Sequence, residues 1–258
     1  MKRSATLEFL GSGTSTGVPV AGCSCEVCRS SDPHDKRLRA SALVRHGNRC
    51  LVIDTGPEFR IQCLRTGLMR LDAVLYTHDH ADHMNGLDDI RAYSFFKGRR
   101  LPVWGSAGTL AAIRRRFHYI WDAKQFGGGL PDIKLHRVNG PFSVIGLKVV
   151  PIPIKHGKMD ILGYRIGDMA YMTDISALPA ASLPLLENLN AMVISCVRFG
   201  HHRTHLNIAG AMRLHLRVRP KQTLLTHLSH YLSHKELIAA LPTDICPIYD
   251  CMRIDIRL

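Results

Sequence analysis

The densest chemistry in the chain is Thr77-His78-Asp79-His80-Ala81-Asp82-His83, which gathers three histidines and two aspartates within six residues. An aliphatic run at 73–76 leads into it, so a loop leaving a strand end can turn the imidazoles inward while Asp82 begins the next helix. That spacing suits a dinuclear metal site. Neutral imidazole mixed with carboxylate favours zinc, manganese or iron. Fifteen of the 258 residues are histidine, and they also gather at 201–205 and 227–234, which scattered core histidines would not do. The second concentration is Cys23-Ser24-Cys25-Glu26-Val27-Cys28, three of the eight cysteines within six residues. No export signal directs the chain to an oxidising compartment, so metal binding is a better reading of that spacing than disulfides.

Holding such side chains in place takes regular elements. Short β-branched or aliphatic runs punctuated by glycine predict strands at 6–10, 42–45, 50–53, 73–76, 103–105, 148–154, 169–172, 191–196, 222–225 and 252–256. Helical patterns lie between several of them, at 58–65, 107–117, 183–188, 207–218 and 233–241, the last closed by Pro242. The alternation implies a layered α/β arrangement. No repeat or low-complexity run is present, and the glycine-rich stretch at 125–131 is too short for a linker, so residues 1–258 read as one domain. A content of 46% hydrophobic and 21% charged residues excludes a disordered or collagen-like chain. The opening apolar stretch is too short for a signal-peptide core, and no window is long and apolar enough to span a membrane. A cytoplasmic protein without membrane attachment is expected. Thirty-four Lys and Arg against 21 Asp and Glu leave a formal charge of +13, which favours phosphate esters, nucleotides or nucleic acid as partners.

The His-x-His-x-Asp-His pattern resembles the signature of the metallo-β-lactamase superfamily. That superfamily follows the motif with an isolated histidine, an aspartate and another histidine, each just after a strand. His156 follows 149–155, Asp174 follows 170–173 and His227 follows 223–226. The resemblance implies an αββα metallo-β-lactamase sandwich, two mixed sheets face to face with helices outside. It also implies two divalent active-site ions, manganese, zinc or iron. His78, His80 and His156 would hold one and Asp82, His83 and His227 the other, with Asp174 bridging and water between them. Asp54, in Leu51-Val52-Ile53-Asp54-Thr55-Gly56, matches an aspartate that supports the metal-binding loop without itself binding metal.

Within the superfamily, the cysteine cluster resembles that of the phosphodiesterases of the carbon-phosphorus lyase pathway and their close relatives. There the fourth ligand is a histidine three residues after the last active-site histidine, and His230 stands at that offset from His227. Cys23, Cys25, Cys28 and His230 are thereby implied to hold one structural zinc that is closed to substrate and pins the N-terminal loop to the loop carrying His227. A histidine near the place of His205, in Gly200-His201-His202-Arg203-Thr204-His205-Leu206-Asn207, is the group's expected proton donor to the departing oxygen. Histidine suits that role because its pKa lies near working pH. The implied substrate is a small cyclic phosphate, either a phosphoribosyl cyclic phosphate or a 2′,3′-cyclic nucleotide, and the relatives suggest a homodimer. Arg198 and Arg203 are candidates to hold a second phosphate, on charge alone.

Some features depart from that pattern or stay outside it. Asp79 between the first two histidines, and Gly86-Leu87-Asp88-Asp89-Ile90-Arg91 after the motif, point to a sister group with a different ester. The loop Gly11-Ser12-Gly13-Thr14-Ser15-Thr16-Gly17-Val18-Pro19 lacks the Lys-Thr ending of a phosphate-binding P-loop. Asp88 and Asp89 read as a helix-start acidic pair. Arg114-Arg115-Arg116 reads as a solvated helix face or a nucleic-acid footprint. Three rival functions follow. An RNA-processing nuclease is favoured by the charge, although the chain has little space for a recognition arm. A thioester or lactone hydrolase would have no use for His205. A non-catalytic protein resembling the pyrroloquinoline quinone biosynthesis B protein would have a depleted ligand set, whereas all seven positions are filled here.

Overall fold

The computed structural model describes residues 4–95, 98–122 and 129–258, so part of the glycine-rich stretch, 125–128, lies outside the described residues. In chain order the strands are β1 (Ser4–Gly11), β2 (Ser41–His46), β3 (Arg49–Ile53), β4 (Ala73–Leu75), β5 (Leu101–Gly105), β6 (Ile133–Arg137), β7 (Phe142–Val144), β8 (Leu147–His156), β9 (Met159–Ile166), β10 (Met169–Met172), β11 (Ala191–Ser195), β12 (Gln222–Thr226), β13 (Ile245–Pro247) and β14 (Arg253–Arg257). The α-helices are α1 (Glu26–Arg29), α2 (Phe59–Arg65), α3 (Ala81–Met84), α4 (Arg91–Ser94), α5 (Ala107–Arg116), α6 (Ile208–Val218) and α7 (His234–Ala240). The strands form two seven-stranded sheets, ordered β14-β1-β2-β3-β4-β5-β6 and β13-β12-β11-β10-β9-β8-β7.

Each sheet changes character at its middle strand. From β14 to β3 the neighbours are antiparallel, and from β3 to β6 they are parallel. In the second sheet β7 to β10 are antiparallel and β10 to β13 parallel. Two antiparallel steps separate β8 from β10, so both point the same way. The ends of β8, β10, β11 and β12 therefore share one edge, as do those of β3, β4 and β5 in the first sheet. Crevices outside the carboxyl ends of strands are where open α/β sheets place their chemistry.

Side-chain alternation explains the layering. Along β3, Leu51 and Ile53 enter the core between the sheets, whereas Cys50 and Val52 join a second core under α2 and α5. Along β11, Val193 faces the inter-sheet core while Met192 and Ile194 join a third, under α6 and α7. Strands buried on both faces read as continuous apolar runs. Each fully buried aliphatic side chain contributes about 1.5–3 kcal/mol. The αββα arrangement of two mixed sheets flanked by helices is as the resemblance implies.

Helix starts are marked by capping side chains. Ser106 accepts from the Thr109 amide at the head of α5, and Asn207 from the Gly210 amide at the head of α6. Ser233 and Glu236 form a reciprocal capping box on α7. One helix is corrected: residues 183–188 were expected to be helical, but the segment is a 3-10 turn over Ala180–Leu186 with Pro184 inside it. Proline denies an interior amide hydrogen, which stops an α-helix there.

Candidate metal centre

The site is assembled at that shared edge from strand ends. Asp54 follows β3, the His78–His83 loop follows β4, His156 ends β8, Asp174 follows β10, His205 lies between β11 and α6, and His227 follows β12. Asp54, Asp174 and His227 all take left-handed backbone conformations, with φ of 64°, 56° and 56°. Non-glycine residues are uncommon there, and such strain collects at functional sites.

His83 stands at the centre. Its Nε2 lies 3.0 Å from Asp174 Oδ2 and 3.2 Å from Asp82 Oδ2. The Nε2 of His227 lies 3.2 Å from Asp174 Oδ1 and 3.4 Å from Asp82 Oδ2. Donor atoms of Asp82, His83 and His227 converge within 4.8 Å of one another, and those of His78, His80 and His156 form a second convergent set. Asp174 lies between the sets: it groups with His78 and His83, and again with His156 and His205. The structure thus brings together all seven positions expected to hold the two ions, and it adds His205 to their immediate surroundings.

Two of these imidazoles are oriented from behind. The Nδ1–H of His83 donates to Asp54 Oδ2 at 2.8 Å, and the Nδ1–H of His156 donates to the Thr204 carbonyl at 2.8 Å. In both rings Nε2 is left for a ligand, the arrangement metal-binding histidines adopt. Asp54 is itself fixed by the Thr77 amide at 2.8 Å and the Thr77 hydroxyl at 2.7 Å.

The donor set fits divalent cations on its own chemistry. The buried Nε2 atoms of His78 and His83 make no aligned hydrogen bond. Buried polar atoms without partners are costly, and a shared cation satisfies several at once. Burial opposes charge on His83, but Asp174 and Asp54 outweigh it and hold its pKa well above the imidazole range. Burial, with His83 beside it, pushes His78 well below that range. Burial would raise Asp174, yet His227 and His83 hold it well below the carboxylate range.

His205 is 12% exposed, with Nδ1 3.3 Å from Asp174 Oδ1 and its ring 4.6 Å from that of His156. Burial and the neighbouring His227 push its pKa down to about 3. Among these residues burial and His227 thus favour the neutral ring, below the ordinary histidine range.

The cysteine cluster forms a second site. His230 Nδ1 lies 3.3 Å from Cys23 Sγ and 3.6 Å from the Sγ atoms of Cys25 and Cys28. The Cys28 amide is the main influence drawing the Cys25 thiol down to about 7. Three thiols and an imidazole this close fit a zinc ion. The loop is tied to the active-site side by Arg37, whose Nη1 donates to the Ser229 carbonyl at 3.0 Å.

Other contacts were not legible in the sequence. Thr77 and Thr204 act only through the fold, and nothing in their local sequence signals it. Arg116, from the run read as a solvated face or nucleic-acid footprint, donates to the Asp79 carbonyl inside the motif at 2.6 Å. Arg198 donates to the His201 carbonyl at 3.0 Å and so braces its own loop, whereas Arg203 is exposed.

Residues 49–228 match the family model described as Beta-lactamase superfamily domain. The chain belongs to the metallo-β-lactamase superfamily. A solved structure described as a new diphosphatase from the PhnP family is 40% identical, with a TM-score of 0.94, and covers 100% of this chain and 99% of its own. A Zn(2+)-bound PqqB from Methylobacterium extorquens, at 18% identity and a TM-score of 0.79 over 96% of this chain and 99% of its own, shares the fold. An octanoyltransferase from Porphyromonas gingivalis is 41% identical over 94% of this chain, which corresponds to 50% of its own length. The chain spans about half the length, or less, of the curated relatives it matches. Among the described residues no helix is long and apolar enough to cross a membrane.

Proposed function

We propose that the chain, read as one hydrolase domain over 1–258, is a metal-dependent phosphodiesterase acting on a small phosphate ester. Its candidate substrates are a phosphoribosyl cyclic phosphate, a 2′,3′-cyclic nucleotide or a diphosphate diester. The observation that supports this best is the position of Asp174 between two convergent ligand sets. Manganese, zinc or iron ions held by His78, His80, His156, Asp82, His83, His227 and Asp174 would supply an acidified water and neutralise charge on a phosphoryl group. Cys23, Cys25, Cys28 and His230 would hold a structural zinc. The 40% identical diphosphatase adds support for phosphorus chemistry, and a formal charge of +13 suits an anionic substrate. The same reading carries a homodimer, as the resemblance implies, and the cytoplasmic location expected from the sequence.

Hydrolysis adds a water oxygen to phosphorus, breaks the bond to the leaving oxygen and delivers a proton to that oxygen. His205 is the residue positioned to hand over that proton. A phosphate anion against the ring raises its proton affinity, opposing the burial that otherwise keeps it neutral. Asp54 and Thr204 keep His83 and His156 aimed.

A second reading, acyl transfer or thioester hydrolysis, is favoured by the name of the 41% identical relative, although the chain covers only 50% of that protein. One assay separates the readings: protein reconstituted with manganese or zinc, offered bis-nitrophenyl phosphate, a 2′,3′-cyclic nucleotide, an RNA and a thioester, with metal content measured alongside. Three metals per chain with phosphodiester turnover is the expected result. Turnover of the thioester alone would overturn the phosphodiesterase. Asp174→Ala should lose active-site metal and nearly all turnover while keeping the Cys-bound zinc.

A further inference from the structure

His202 lies outside the seven-residue ligand set and outside the role read for His205. A row of imidazoles nevertheless leads from the metal centre to it. Ring centroids are 5.1 Å apart from His80 to His156, 4.6 Å from His156 to His205 and 4.9 Å from His205 to His202. The row passes from buried His156 to half-buried His205 and His202.

The loop that carries His202 is held at both ends. The Val197 amide donates to the Leu206 carbonyl at 3.2 Å, and the Leu206 amide donates to the Ile175 carbonyl at 3.0 Å. Asn207 Nδ2 donates to the Phe199 carbonyl at 2.9 Å. Within this frame the Thr204 amide donates to His202 Nδ1 at 3.3 Å. That nitrogen is therefore an acceptor, so the proton of the neutral ring sits on Nε2. Burial, followed by the nearby Arg198 and His156, lowers the pKa of His202 and keeps it neutral. The Nε2–H has no partner among the described residues.

We propose that His202 Nε2–H holds the non-reacting phosphoryl group of a diphosphate diester, on the leaving-group side of the scissile phosphorus; this rests on the phosphodiesterase reading. The leaving oxygen must face His205 if His205 protonates it, and whatever that oxygen carries continues along the row to the next ring. A second phosphoryl group there meets an N–H donor. Exposed Arg203, which has no ionic partner among the described residues, adds positive charge on the same loop. A 2′,3′-cyclic nucleotide, with its single phosphoryl group at the reacting position, has none to place there. In the reaction a water oxygen bonds to the scissile phosphorus, and the bond from that phosphorus to the bridging oxygen breaks. The bond pair stays on the bridging oxygen, which takes the proton held by His205 while the attacking water gives one up to solvent, so the second phosphoryl group departs as a phosphate monoester whose remaining negative charge His202 stabilises.

The test compares wild type, His202→Ala and His202→Gln, each reconstituted with manganese, on diadenosine diphosphate and on 2′,3′-cyclic AMP, with metal content and melting temperature measured for all three. The alanine variant should lose roughly ten- to hundred-fold in kcat/KM on the diphosphate, the range for a hydrogen bond to a charged group. The loss should lie mostly in KM and exceed that on the cyclic ester at least ten-fold where both are turned over. Glutamine, which keeps an N–H donor, should recover part of it. Equal losses on both esters, or a loss confined to kcat, would overturn the role of His202. Wild-type turnover of the cyclic ester alone would overturn it too, leaving the phosphodiesterase reading intact. No turnover of either ester would remove that reading, and the proposal with it.

Discussion

The Nδ1 of His83 lies 2.8 Å from Oδ2 of Asp54, and neither side chain has any exposure to solvent. Asp54 binds no ion in the proposed scheme, yet it fixes which nitrogen of His83 faces the centre. The Thr77 amide and hydroxyl fix Asp54 in turn. Asp54→Ala should therefore leave the His83 Nδ1 and the Thr77 amide buried without a partner. We expect a loss of roughly 10–100-fold in active-site metal affinity and of about 1–3 kcal/mol in stability. Zinc at Cys23, Cys25, Cys28 and His230 should be retained, because none of those residues contacts Asp54. Metal titration together with thermal unfolding reads both effects, and unchanged affinity would remove Asp54 from the support of the site.

Proton release should accompany metal binding. Burial works against a charged His83, but Asp174 and Asp54 outweigh it and raise its pKa well above the ordinary value of 6.5. At neutral pH the ring therefore carries a proton on Nε2, between Asp174 and Asp82, where a cation has to bind. Metal binding must displace that proton, so affinity should climb with pH through the neutral range, by up to about ten-fold per unit for one proton. Calorimetric titration in buffers of different ionisation enthalpy would count the protons. A flat affinity between pH 6 and 8 would show that His83 is already neutral.

The parts of this centre that were legible in the sequence are those carried by side-chain type and by strand ends. His78, His80, Asp82 and His83 sit in one loop, and His156, Asp174 and His227 each follow an apolar run that forms a strand. β10 coincides with the run at 169–172, and Asn207 and Ser233 cap the helices whose starts they mark. β9 was missed because Asp160 and Arg165 interrupt its apolar pattern and Gly163 breaks it. A Cβ on Gly163 would lie 2.9 Å from the Tyr171 carbonyl, so the break reflects close packing against β10. β6, β7 and β13 are short or polar and draw their stability from neighbouring strands, which local sequence does not record. Thr77, Thr204 and Arg116 matter through tertiary contacts alone.

Away from the metals, Asp72 gives a pH-dependent stability with a definite sign. Its side chain is only 5% exposed and accepts from Arg70 Nε at 2.8 Å, Arg99 Nη2 at 2.7 Å and the Cys50 amide at 2.9 Å. Burial pushes its pKa up, but these partners outweigh burial and lower it from 3.8 to about 2. A depressed carboxylate pKa stabilises the fold fully above the unfolded value of 3.8, and the contribution is lost as the pH falls through about 2. Because Arg70 and Arg99 are 43% and 45% exposed, solvent screening reduces the effect to roughly 1–2 kcal/mol. Asp72→Asn should be destabilised by that amount at pH 7 and should converge on wild type near pH 2. Denaturant unfolding across that range checks it, and a constant difference at all pH values would contradict it.

His205 should reveal its part through the leaving group. The ring lies 3.3 Å from Asp174 by its Nδ1 and is held neutral by burial and His227, so any proton it gives must be taken up as an anionic substrate arrives. An alkoxide leaving from a ribose needs that proton, whereas a nitrophenolate is stable without it. General acid catalysis contributes typically 10²–10⁴-fold where it operates. His205→Ala should therefore slow a 2′,3′-cyclic nucleotide by roughly that factor and bis-nitrophenyl phosphate far less, at unchanged metal content. Equal losses on both esters would make His205 a residue that positions substrate, and loss of metal on mutation would make it a ligand beside His156 and Asp174.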